Sequence, residues 1–241
     1  MRYFQLFFSI LFLLLARPVL AQTAKWIHPK SGNIYQINFE TKEFFENKDG
    51  AQWNKIADLS FQDIKSYDLI SGNRHYQEIP IPGSSLSYLM VSCTGQVYQL
   101  DRKNWTLKRM DQTFYRGANC AAIKFLRNGV LYSFGGYGFW QSTNIMTKYN
   151  SVSKDWQHIL ASGDIPKSIH KHYGVYLAES DKFIQISSSR INQTESAEVL
   201  DIDYGIYDYS FSDKRFKRLG EVYEPTLRQI ISYKRNNFIL T

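Results

Sequence analysis

Apolar and polar residues alternate along most of this chain in short runs closed off by Gly, Asn, Asp or Ser. Gly95-Gln96-Val97-Tyr98-Gln99-Leu100-Asp101 is one such run, and Lys182-Phe183-Ile184-Gln185-Ile186-Ser187 is another. Turn residues stand between runs at Asn128-Gly129, Glu179-Ser180-Asp181 and Arg235-Asn236-Asn237. A period of two puts successive side chains on opposite faces, which is the pattern of a half-buried strand. Segments with a helix cap and a 3.6-residue apolar stripe are few. The best of them, Ser60–Ile70, is short and reads equally well as a loop and a strand. The pattern predicts an all-β protein.

The N-terminus departs from this alternation. Arg2 precedes a nearly unbroken apolar stretch, Tyr3–Ala16, which Arg17-Pro18 ends; Val19-Leu20-Ala21 then places small or apolar side chains where a signal peptidase reads. The run is too short for a hydrocarbon layer of roughly 30 Å, so a secretory signal peptide (residues 1–21) is preferred over a retained anchor. The mature domain is then 22–241, secreted or periplasmic. It has no second apolar run of spanning length, so no stable membrane insertion is expected. The net charge of +7 falls by two with Arg2 and Arg17, and the rest is scattered. That argues against a nucleic-acid partner. The densest basic run, Lys214-Arg215-Phe216-Lys217-Arg218, alternates around an aromatic as a solvated strand face would. Cys93 and Cys120 would enter an oxidising compartment, where a disulfide is allowed, but buried free thiols are the preferred reading because spacing alone does not establish a Cα distance.

The strand-like runs repeat. Tyr98 is followed seven residues later by Trp105, Tyr149 by Trp156 and Tyr209 by Phe216, with a weaker echo in Ile37 and Phe44. The units recur every 50–60 residues or so, a length that four strands with turns fill. The clearest unit runs Cys120–Phe125, Val130–Phe134, Ile145–Asn150 and Trp156–Leu160; the next runs Tyr173–Ala178, Lys182–Ser187, Gly205–Phe211 and Phe216–Leu219. An earlier unit occupies about Ser66–Met110. Asn33–Phe39 and Trp53–Leu59 read as the outer half of a further unit, and Arg228–Tyr233 with Phe238–Thr241 as an inner half. The large aromatics would fill the wedge between neighbouring sheets.

The strand Val130–Phe134 running into Gly135-Gly136, followed at fixed spacing by Tyr149 and Trp156, resembles a blade of the kelch/galactose-oxidase-like β-propeller superfamily. Arg116-Gly117-Ala118-Asn119 supplies the arginine-led turn that often precedes such a blade. The next unit departs from the pattern, with Ser187-Ser188 for the glycine pair and Phe216 for tryptophan. The resemblance implies a propeller of four-stranded antiparallel blades, about four of them in this chain. Either the terminal halves pair and close a small ring, or the ring is incomplete and further blades follow Thr241; the second reading is preferred because rings of this superfamily are larger.

No catalytic motif stands out. Gly135-Gly136-Tyr137-Gly138 follows a strand but opens no helix, so it lacks half of a phosphate loop. His170-x-His172 and Asp201-x-Asp203 read as polar loop and strand edge in preference to metal sites, and no cofactor is indicated. The copper ligands of some relatives have no match here. Asn104-Trp105-Thr106 and Asn192-Gln193-Thr194 are glycosylation acceptors only in a eukaryotic secretory route.

What a propeller offers is a rim of loops. The candidate binding residues there are Tyr137, Phe139 and Trp140 after the double glycine, Arg190 and Asn192 in the matching loop of the next unit, and Arg116, His170 and His172 between units. Aromatic and arginine side chains suit sugar stacking or a protein hot spot. The reading is a protein- or glycan-binding module, as the sensor part of a larger receptor in one version, and not an enzyme. The alternative is a carbohydrate oxidase or a sialic-acid-type epimerase on the same scaffold, supported only by fold analogy. The oligomeric state is not legible.

Overall fold

The computed structural model describes residues 23–65, 76–113, 119–138, 141–166, 172–187 and 205–221. Among them the protein is all-β, without helix, and forms four sheets that follow one another along the chain. The first holds β1 (Thr23–Ile27), β2 (Ile34–Asn38), β3 (Glu43–Asn47) and β4 (Asn54–Asp58) in that order. The second holds β6 (Tyr76–Pro80), β7 (Leu86–Val91), β8 (Val97–Asp101) and β9 (Thr106–Arg109), with β5 (Ser60–Gln62) running parallel to β9. The third holds β10 (Ile123–Arg127), β11 (Val130–Gly138), β12 (Gln141–Asn150) and β13 (Asp155–Ile159). The fourth holds β15 (His172–Leu177), β16 (Lys182–Ser187), β17 (Gly205–Ser210) and β18 (Arg215–Glu221), with β14 (Ser162–Gly163) parallel to β18. Apart from those two short parallel additions, every pairing is antiparallel.

One hairpin occurs four times. Asn38, Asp101, Asn150 and Ser210 each end a strand and accept a backbone N–H from two or three residues ahead, from Glu40, Lys103, Val152 and Asp213 respectively. Such side-chain acceptors mimic a backbone turn. Four residues on, Lys42, Trp105, Lys154 and Lys214 take positive φ values of 56°, 50°, 52° and 51°, which return the chain to the ladder. Cross-strand partners then flank the turn: Ile37 with Phe44, Leu100 with Leu107, Tyr149 with Trp156 and Tyr209 with Phe216.

The second sheet corrects the expected repeat. Its buried pair is Leu100–Leu107, both fully inaccessible, and not Tyr98–Trp105. Tyr98 faces Arg109, while Trp105 is the turn residue itself and lies half-buried against Phe44, ring centroids 5.3 Å apart. Tyr and Trp happen to stand seven apart beside a pair of leucines that do the packing. In the first sheet the same hairpin joins the second and third strands; in the others it joins the third and fourth. The described residues therefore begin with a whole four-stranded sheet, and not with the outer half that Asn33–Phe39 and Trp53–Leu59 suggest. Ala24 and Trp26 of β1 are buried, and the expected outer pair is in fact its second and fourth strands. The segment Arg228–Thr241 lies outside the described residues.

Consecutive sheets are joined by one repeated backbone staple. The N–H groups of Ser60, Gln112 and Ser162, each just past the last strand of a sheet, donate to the carbonyls of Trp105, Lys154 and Lys214 in the hairpin of the next. The distances are 2.9, 3.0 and 2.9 Å. The core lies between the sheets. Leu107, Trp156 and Phe216 each turn towards the preceding sheet, in three apolar clusters. Trp156 Nε1 donates to the carbonyl of Gly95 at 2.7 Å, and Tyr149 Oη donates to that of Met110 at 2.6 Å. Phe125, Phe134, Phe183 and Phe216 interlock between the third and fourth sheets with centroids 4.9–5.5 Å apart. The basic run Lys214–Arg218 behaves as expected: Phe216 is buried and Arg215, Lys217 and Arg218 are exposed.

Candidate functional site

Because strands alternate in direction, the loops between second and third strands lie at the same end as the links between sheets. At that end three segments of the second and third sheets converge. Cys93, in the turn after β7, forms a disulfide with Cys120, ahead of β10, with Cα atoms 4.1 Å apart. This corrects the preferred reading of two buried free thiols: strand pairing brings the two Cα atoms within bonding reach. The Ala121 N–H donates to Ser92 Oγ at 3.3 Å, a second tie between the same sheets. Cys120 in turn forms an antiparallel bridge with Tyr137, their N–H and C=O groups exchanging bonds of 3.0 and 2.9 Å. The disulfide encloses a separation of 27 residues, and a loop of that size stabilises by about 3–4 kcal/mol. Reduction, or the double change Cys93→Ala with Cys120→Ala, is expected to lower the urea midpoint by a corresponding amount. An unchanged midpoint would show that the ladder and Ser92 hold the two sheets without it.

Gly135 and Gly136 act differently from the expectation. The repeat pattern has them end the strand; instead β11 continues to Gly138, with the register against β12 shifting between Phe134 and Gly136. Their φ values of 69° and 110° lie where a Cβ is disfavoured. The pair forms a bulge that bends the strand and carries Tyr137 out to Cys120.

Tyr137 is half-buried at the end of β11. His172 opens β15 opposite Ser187, at the same end of its sheet as Tyr137. Phe139, Trp140, Arg116, His170, Arg190 and Asn192 lie outside the described residues. Topology thus brings Tyr137, His172 and the disulfide to one end, and says nothing further of the other six.

Two charged clusters that the sequence does not signal lie elsewhere. Between the first and second sheets, Glu78 is 2% exposed and receives both guanidinium nitrogens of Arg102 and Trp26 Nε1, the last at 2.8 Å. Burial would raise its carboxyl, but the hydrogen bonds and charge of Arg102 prevail and hold it below the ordinary carboxylate range. Between the third and fourth sheets, Arg127 binds Asp181 bidentately at 2.6 and 2.7 Å and lies 4.3 Å over Phe211. Arg127 and a hydrogen bond from Tyr176 pull the Asp181 carboxyl down to about 2. Each pair joins residues tens of positions apart, so no local pattern announces it.

The chain matches no protein-family model and no curated protein.

Proposed function

We propose that the four sheets are consecutive blades of a kelch-like propeller, secreted or periplasmic, whose loop end binds a protein or glycan. The staple that recurs at all three sheet junctions supports the architecture. The outward face of the fourth sheet, where Val175, Leu177 and Leu219 are 46%, 42% and 53% exposed, suits packing against a further blade. The observation that carries the function is the disulfide-tied junction of Cys93, Cys120 and Tyr137. It fixes the base of a loop whose next residues, Phe139 and Trp140, are the aromatic kind that ligands stack on. A rigid base lowers the ordering cost of binding.

The test is a glycan array and a pull-down with the chain Gln22–Thr241, beside Trp140→Ala and the Cys93→Ala, Cys120→Ala double variant. Loss of about tenfold or more in affinity in Trp140→Ala, with unchanged thermal unfolding, is the expected result. Binding that persists undiminished in that variant would remove the aromatic rim from the proposal.

A further inference from the structure

Lys124, on β10, is buried without a side-chain partner among the described residues. It is 7% exposed. Its backbone carbonyl accepts a bond from Gln77 Nε2 at 3.4 Å, yet among the described residues neither a hydrogen bond nor an opposite charge acts on its ammonium. Burial alone pushes it down to about 8. Alternation along β10 says which way it points. Phe125 belongs to the cluster facing the fourth sheet, and Leu126 packs with Met90 and Leu131 towards the second. Lys124 shares the face of Leu126 and so lies between the second and third sheets, four residues along from Cys120.

The strands beside it supply hydroxyls. Lys124 stands opposite Ser133, and Ser133 opposite Thr147, making one polar row across β10, β11 and β12. Ser133 is 6% exposed and Thr147 9%, and Thr147 Oγ1 donates to the Ser133 carbonyl at 3.4 Å. Thr113 Oγ1, Asn119 Oδ1 and Asp208 Oδ1 are the side-chain atoms sealed from solvent without a partner among the described residues; the Lys124 ammonium is not one of them, so its residual exposure reaches solvent. A buried ammonium needs an opposite charge and hydrogen-bond acceptors. The Thr147 proton is held by the Ser133 carbonyl, so the ammonium and the Ser133 hydroxyl are the donors of this row; one cation beside one hydroxyl suits a single carboxylate, whose two oxygens accept from both. A phosphate dianion would leave a charge uncompensated, and a neutral sugar would leave the ammonium unpaired.

We propose that Lys124 and Ser133, in the row that Thr147 completes, form a subsite for a carboxylate between the second and third sheets. This rests on the binding-module reading and narrows its ligand to an acidic one. The experiment follows thermal unfolding of the chain Gln22–Thr241 and of Lys124→Met and Ser133→Ala with acetate, glucuronate or glucose at matched ionic strength. Ligand that binds only the folded state raises the midpoint. Acetate and glucuronate are expected to raise it for the parent chain and to leave Lys124→Met unmoved, with Ser133→Ala shifted less than the parent. A larger response to glucuronate points to an acidic sugar, and equal responses point to any small carboxylate; either upholds the subsite. Failure of both carboxylates to shift the parent, or an equal shift in Lys124→Met, overturns it. A glucose response that survives in Lys124→Met would uphold the binding module while overturning the carboxylate subsite.

Discussion

Replacing Glu78 with alanine is expected to destabilise the protein by about 3–5 kcal/mol, the cost of breaking a buried ion pair by deleting one member. Glu78 gathers donors from both sheets: Trp26 from the first, and from the second Arg102, which Ser87 Oγ also holds at 2.9 Å. The Arg102 guanidinium lies 4.9 Å over Tyr35 and 5.8 Å over Phe44, so it is packed as well as paired. Without the carboxylate the Trp26 N–H would lose its acceptor, and the cation would remain between the sheets with its opposite charge gone and Ser87 Oγ as its acceptor. The depressed carboxyl makes the effect depend on pH. Its stabilisation is complete above the ordinary carboxylate range, near 4.5, and is lost as pH falls through the lower folded value. Urea unfolding at pH 7 and at pH 3 should therefore show a large gap between parent and Glu78→Ala at the first and a narrowed one at the second. Asp181→Ala is the control. Asp181 also has a depressed carboxyl and two short bonds to arginine, but its side chain is 47% exposed and water screens the pair. A loss in Asp181→Ala as large as that in Glu78→Ala would mean that burial does not decide what such a pair is worth.

The contrast between these two pairs explains what is legible in the sequence. Alternation locates the strands of the third and fourth sheets to within a few residues, because side chains of period two report local geometry; in the first sheet it finds β2 and β4 and misses β1 and β3. Trp156 and Phe216 are recognisable as wedge residues because each is a large aromatic at a fixed distance from a turn. The hairpin they follow is a local object, made by an Asn, Asp or Ser and a residue of positive φ. For the same reason it misleads in the first sheet, since any antiparallel pair of strands can use that turn and its presence does not say which pair is joined. Leu100 and Leu107 escape notice because aliphatic residues recur too often to mark a repeat. Glu78–Arg102 depends on which strands of the second sheet lie together, and Arg127–Asp181 and the setting of Lys124 on how sheets face one another; nothing local encodes either. At the loop end, residue types alone suggest the chemistry; of the rim residues so chosen, Tyr137 and His172 fall among the described ones. The disulfide that anchors that end follows from a Cα separation, which sequence spacing does not determine.

Lys124→Met is expected to act in the opposite direction and make the protein more stable at pH 7, by about 3 kcal/mol, which is the worth of lowering the ammonium from 10.5 to about 8. Methionine has nearly the same length and no charge to desolvate, so it fills the same space beside Leu126 and Leu131. The sign of the pH dependence follows from proton counting. Between about 8 and 10.5 the unfolded lysine keeps its proton and the folded one has lost it, so the stability of the parent rises with pH across that window. The penalty is fully present below about 8 and gone above 10.5. The groups set against Lys124 from neighbouring strands, Gln77, Ser133 and Thr147, are neutral; the phenols of Tyr88 and Tyr149, in the cluster between the same sheets, are pushed up by burial and act alike in both proteins, so the difference between parent and variant reads the lysine. Chemical unfolding of both proteins at pH 7, 9 and 10.5 should show the advantage of Lys124→Met shrinking towards zero. An advantage that stays constant across that range, or a variant less stable than the parent, would mean that the ammonium finds a partner in solution. A side chain that weakens the fold holding it has a physical reason to be there only if something else supplies its opposite charge. A bound carboxylate would do so, and it would also return the folded-state ammonium towards its ordinary value, so the high-pH gain in parent stability should disappear when glucuronate is present.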